Sequence, residues 1–162
     1  MTVVVVMGVS GSGKTTVGTA LAERLGVEYA EADAFHSEAN IAKMSAGIPL
    51  TDADRAPWLR AIAEWIGEHG ITGGVVTSSA LKRRYRDVLR DGGECWFLHL
   101  DGDRDLLTAR MNTRKGHFMP ASLLDSQLTD LEPLEAGEPG IVVDAADPPD
   151  TIIAAALTAL TP

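Results

Sequence analysis

The chain has 162 residues, 45% hydrophobic and 23% charged, with one cysteine and a formal net charge of −9. That length fits one domain whose core needs no metal, and a lone Cys95 excludes an intramolecular disulfide. The acidic balance argues against sequence-independent DNA or RNA binding, and no apolar run approaches the roughly 18 residues of a membrane span.

The first residues, "MTVVVVMG", carry no basic leader, so the expected location is cytoplasmic. Val3–Met7 reads as a buried strand, and Lys14–Leu25 as the helix after it. A short strand over Val27–Ala32 leads into a polar region from Asp33 to Pro57. A helix is predicted over Pro57–His69, with Thr51 and Asp54 as a capping pair and Trp58, Ile62, Trp65 and Ile66 on one face. "GGVVTSS" (Gly73–Ser79) is the third strand, Leu81–Arg90 a helix and "ECWFLHL" (Glu94–Leu100) the fourth strand. Helices over Arg104–Asn112 and Ala121–Leu128 precede the fifth strand, "GIVVDA" (Gly140–Ala145), and Pro149–Leu160 is the last helix. Strands that are apolar without alternation, separated by helices, predict an α/β domain with a parallel sheet covered on both faces. No repeat or linker divides residues 1–162.

"MGVSGSGKTT" (Met7–Thr16) has the Gly-x-x-x-x-Gly-Lys-Thr spacing of a phosphate-binding loop, set between a strand and a helix as that motif requires. Gly11, Ser12 and Gly13 let backbone N–H groups approach a phosphate, Lys14 reaches the β- and γ-phosphates, and Thr15 offers a hydroxyl to Mg²⁺. The reading is an ATP or GTP site. A guanine-nucleotide switch would carry an Asn-Lys-x-Asp motif, and a larger ATPase a strand ending in Asp. The chain lacks the first, and its third strand ends in Thr77 and Ser78. Acid comes instead from Glu31 and Asp33 in "EADAFH", which strand alternation would place on one side. Asp33 is the stronger candidate to hold Mg²⁺ or accept a hydroxyl proton, since His36, Asn40 and Lys43 follow it closely, while Glu31 reads equally as a solvated strand-end acid.

Arg110 and Arg114 lie four apart on a helical pattern that breaks at Gly116. They suit either a lid that closes over a nucleotide or an ordinary basic helix end, and spacing leaves both open. Cys95 and His99 read as buried strand residues.

Taken together, "MGVSGSGKTT", "ADAFHSEANIAKMSAGIPLTDADRAPWL", "SSALKRRYRDVLR", "RKGHFM" and "VVDAADPP" resemble the gluconate kinase family, within the group of shikimate- and nucleoside-monophosphate-kinase-like enzymes. "TSSALK" stands where a shikimate kinase would show three glycines. The resemblance implies a three-layer P-loop kinase fold, a five-stranded parallel sheet flanked by helices, with a small mobile lid at about 112–122. It implies ATP-dependent phosphorylation of D-gluconate at the 6-hydroxyl, with Mg²⁺, in a homodimer. By the same resemblance Gly11, Gly13, Lys14, Thr15 and Thr16 would hold phosphates and metal, and Asp33 would stand at the reacting hydroxyl. His36, Lys43, Arg55, Lys82 and Arg86 would bind the sugar acid. Arg110 would lie against the nucleotide, Arg114 would be the lid arginine, and Asp147 and Pro148 would border the adenine. Two positions depart from the family pattern: Glu31-Ala32-Asp33 replaces Asp-Gly-Asp, and Ser37 replaces the proline after His36.

Overall fold

The structure, a computed structural model of the chain, describes residues 2–113 and 121–160. Five parallel strands, β1 (Val3–Met7), β2 (Glu28–Glu31), β3 (Gly74–Thr77), β4 (Cys95–Asp101) and β5 (Gly140–Asp144), form one sheet in the order β2-β3-β1-β4-β5. Val5 of β1 is paired with Val76 on one side and Phe97 on the other. The chain goes outward from β1 in both directions, so a crevice opens beyond the carboxyl end of β1, between β3 and β4.

The sheet is apolar on both faces, as unalternating strands require. Val3, Val5 and Met7 pack with Trp58, Ile62 and Ile66 of α3 (Asp52–Glu68) and Tyr85 and Leu89 of α4 (Arg83–Gly92). Val4 and Val6 turn to the other layer, against Val17 and Leu21 of α1 (Lys14–Leu25) and Ile152, Ile153 and Ala156 of α7 (Pro149–Leu160). A smaller cluster of Val9, Leu81, Leu107 and Leu124 joins the loop after β1 to α5 (Arg104–Thr113) and α6 (Ala121–Asp130). No helix among the described residues is long and apolar enough to cross a membrane.

Two departures from the expected elements lie in the polar region. Asp33 is not on a strand: β2 ends at Glu31, and Ala32–Phe35 forms a 3₁₀ turn, so strand alternation does not relate the two acids. Next comes α2 (Glu38–Ser45), which has no strong apolar stripe; Ser37 starts it, its hydroxyl accepting from the Asn40 amide at 3.2 Å. Helix α3 begins at Asp52 rather than Pro57, because Thr51 and Asp54 form a complete capping box. Pro57 therefore sits inside the helix, where it removes the donor for the Ala53 carbonyl; both residues face solvent, which can replace that bond. Most of the expected lid, residues 114–120 with Arg114, lies outside the described residues.

Candidate active site

The loop Gly8–Gly13 leaves β1 and delivers the chain into α1. Gly13 caps that helix with a φ of 97°, a left-handed conformation that an L side chain rarely adopts. No side chain caps α1, and its first turn has no acidic residue. The N–H groups and positive end of the helix dipole are thus left for an anion. The Lys14 ammonium donates to the carbonyls of Gly8 (2.9 Å) and Val9 (3.1 Å), which holds it over the loop. Arg110 from α5 ties this loop to the segment after β5, donating to Ser12 O at 3.2 Å and to Ala145 O at 2.7 Å. Gln127 on α6 accepts from the Ser10 amide at 2.8 Å, so the helix that follows the expected lid also touches the loop.

These groups form one side of a cleft of about 630 Å³. The loop from Ser10 to Thr16 lines it, with Arg110 and Asp147; the opposite wall is made by Glu31, Asp33, His36, Arg55 and Trp58. Glu31 accepts from the Thr15 hydroxyl at 2.6 Å and from Tyr29 at 2.9 Å. Burial, with the bond to Glu31 and its charge, pushes the Tyr29 hydroxyl up, so it stays a donor. Sequence reasoning left Glu31 open between an acid serving the metal and a solvated strand-end acid. The signal available was its position at the end of the strand that follows the loop and α1 in sequence, with a threonine in the first turn of α1 to meet it.

The wall from Ala32 to Arg55 is a set of interlocking contacts. His36 stacks on Trp58 with ring centroids 4.3 Å apart and planes within 9°, and Trp58 Nε1 donates to Ala32 O at 2.7 Å. Burial holds the His36 imidazole below its ordinary range, the charge of Asp33 opposing this and that of Arg55 adding to it. Arg55 donates to the Tyr85 hydroxyl at 2.9 Å and lies over its ring; Tyr85 in turn donates to Asp52 at 2.5 Å, which Arg84 also engages. Burial and the bond to Asp52 raise the Tyr85 hydroxyl, so Tyr85 serves Arg55 as a neutral acceptor.

Four expected residues do not line the cleft. Lys43 pairs with Asp54 at 2.9 Å, and that hydrogen bond lowers the Asp54 carboxyl to about 2. Lys82 precedes α4 and lies 3.9 Å from Asp130. Pro148 accepts the Thr151 and Ile152 amides at the start of α7, between Asp147 and Pro149, which do line the cleft. Arg86 is completely buried: its guanidinium meets Glu138 at 2.6 and 3.0 Å and the carbonyls of Ala80, Glu132 and Pro133. Away from the cleft, burial pushes the Cys95 thiol up to about 12, and His99 is buried on β4 with neither ring nitrogen hydrogen-bonded among the described residues. His99 is thus the buried strand residue the sequence suggested.

A glycine loop between the central strand and an uncapped helix, facing a wall of mixed acids, bases and donors, defines a small-molecule kinase of the P-loop class. A family model for shikimate kinase matches residues 10–136. The gluconokinase of Gluconobacter oxydans is 53% identical over 152 residues, covering 92% of this chain and 85% of that one. Among solved structures, a gluconokinase from Sinorhizobium meliloti superimposes with a TM-score of 0.89 at 49% identity, covering 98% of this chain and 91% of that one. A sugar kinase from Janibacter sp. gives 0.94 at 57% identity, with coverage of 99% and 94%. The chain belongs to the shikimate kinase family of P-loop kinases and, within it, to the gluconokinases.

Proposed function

We infer that the protein transfers the γ-phosphoryl group of ATP to the 6-hydroxyl of D-gluconate, giving 6-phosphogluconate and ADP. The observation that carries this reading is one cleft lined by the glycine loop, Lys14 and Arg110 and also by Asp33, His36 and Arg55, in a chain 53% identical to a gluconokinase. Gluconate has one carboxylate and five hydroxyls, and Arg55, His36 and Asp33 supply a cation, an imidazole and an acceptor for them.

In the proposed reaction the loop amides and the α1 N-terminus hold the β-phosphate, and Lys14 exchanges its carbonyl partners for phosphate oxygens. Arg55 takes the gluconate carboxylate, which directs the far end of the substrate to the phosphate half. The O6–P bond forms as the P–O bond to ADP breaks, and the O6 proton passes to Asp33. Arg110 adds positive charge beside the loop, and Arg114 of the expected lid joins it. Asp147 borders the adenine. Catalysis is positioning and charge stabilisation in a site that excludes water.

The donor set fits Mg²⁺. Thr15, Glu31 and Asp33 all offer oxygen and line the same cleft. Among the described residues no group of three or more His, Cys, Asp and Glu could hold a metal alone, which suits an ion bound through one or two protein groups and substrate phosphates. Thr15 and Asp33 would hold it, Glu31 releasing the Thr15 hydroxyl; bound there it would neutralise charge on the phosphoryl oxygens. The cytoplasmic location expected from the sequence and the homodimer implied by the family resemblance belong to the same proposal.

The test is ADP release with gluconate, shikimate and nucleoside monophosphates offered separately. Gluconate should give the highest kcat/KM. Preferred turnover of shikimate, the acceptor named by the family model, would replace this reading, and ATP binding without turnover on any acceptor would leave a nucleotide-binding protein.

A further inference from the structure

The acceptor wall contains a histidine whose tautomer is fixed by a neighbour that does not line the cleft. Asn40 on α2 is 6% exposed, and its Nδ2 lies 2.9 Å from the Asp54 carbonyl oxygen and 3.2 Å from His36 Nδ1. A main-chain carbonyl only accepts, so the Asn40 atom facing Asp54 has to be the amide nitrogen; the flipped side chain would set two oxygens against each other with no proton between them. An amide nitrogen has two hydrogens. With one on Asp54, the other is available to His36 Nδ1, and Nδ1 can receive it only as a lone pair. The proton of a neutral ring then sits on Nε2.

Both partners are held in place. Ser37 caps α2 by accepting from the Asn40 backbone amide, which seats this side chain in the first turn of the helix. Trp58 fixes the plane of the imidazole by stacking, and is itself anchored on Ala32. The charged groups acting on the ring are Asp33 on the 3₁₀ turn and Arg55 on α3, of opposite sign, while Lys43 and Asp54 nearby neutralise each other.

We propose that Asn40 is a positioning residue that fixes His36 as a neutral Nε2–H hydrogen-bond donor in the acceptor half of the cleft. His36 then gives a hydrogen bond to an acceptor oxygen and takes no proton at Nδ1, which leaves Asp33 as the base. The identity of the oxygen rests on the gluconate reading; the tautomer does not.

Long-range ¹H–¹⁵N spectra of histidine-labelled protein test this directly. The unmodified protein at pH 7 should show His36 with protonated Nε2 and bare Nδ1. An Nδ1–H tautomer or an imidazolium at that pH would overturn the proposal. Asn40→Asp puts an acceptor where the donor was. It should move the proton to Nδ1, raise the His36 pKa and raise KM for gluconate about tenfold, with KM for ATP held within about twofold. An unchanged His36 spectrum in that variant would also refute the assignment. If the variant does not fold, the spectrum of the unmodified protein decides. The expected tautomer in a protein that does not turn over gluconate would support the positioning role and overturn the substrate reading, so the two failures are distinct.

Discussion

Replacing Arg86 by methionine removes a guanidinium with no exposed surface that meets both oxygens of Glu138 and four main-chain carbonyls, those of Ala80, Leu81, Glu132 and Pro133. The Glu138 side chain is equally buried. After the substitution its carboxylate keeps the Glu135 amide at 2.8 Å and a looser approach to Arg83 at 3.7 Å. Breaking one partner out of such a pair costs about 3–5 kcal/mol. For a domain of this size that corresponds to a fall in melting temperature of about 6–20 °C, at roughly 2–4 °C per kcal/mol. Removing both charges together is different: Arg86→Met with Glu138→Leu takes away the desolvation cost as well, so the double variant should recover most of the loss. Arg86→Lys should recover little, since an ammonium cannot reproduce the fork that reaches Glu138 and the carbonyls at once. Calorimetric unfolding of these four proteins and of the Glu138→Leu single variant measures all of this. A loss below about 1 kcal/mol in Arg86→Met, or a double variant as unstable as the sum of the singles, would refute the reasoning. KM for gluconate, measured well below the melting transition, should stay close to that of the unmodified enzyme; a large rise would restore Arg86 as a substrate ligand.

Other substitutions probe the cleft and the core. Asp33→Asn should lower kcat by about 10²–10⁴ with the melting temperature preserved, and a near-normal kcat would remove Asp33 from the mechanism. Tyr85→Phe deletes the oxygen that receives Arg55, so KM for gluconate should rise about fivefold with kcat little changed; an unaltered KM would show that Arg55 needs no such support. His99 is held below its ordinary value of 6.5, first by burial and then by Arg86, with Asp101 opposing. Its folded pKa is the lower one, so the unfolded chain takes up the proton first, and stability is lost as pH falls below about 6.5. His99→Leu should flatten the stability profile between about pH 7 and 5.5; parallel profiles would show that His99 does not titrate differently in the two states.

How far the sequence carried depends on how local each cause is. Four of the five strands carry apolar runs bounded by polar turns, the exception being β2, Glu28–Glu31, and the glycine loop is a contiguous motif, so most of this could be read along the chain. Helix α2 could not, because "EANIAKMS" has little apolar periodicity and depends on the Ser37 cap. Ser37, noted in the sequence only as a departure from the family pattern, starts the helix with its own side chain. The start of α3 was misplaced because Pro57 was weighted above a capping box whose two members were visible six and three residues before it. Arg86 was read, through the family resemblance, as a ligand of the sugar acid. Its partner, Glu138, is 52 residues away, and nothing local distinguishes the buried arginine from Arg83 and Arg84 beside it. Glu31 and Asp33 were legible as acids near the loop, but their different placements follow from the strand ending between them.

The central claim is tested most directly by the product. With ATP, Mg²⁺ and D-gluconate, ³¹P–¹H correlation spectra of the reaction mixture should show a new phosphomonoester coupled to the two protons of C6. A phosphate on any other carbon, or ADP formed without a phosphorylated sugar acid, would contradict the account.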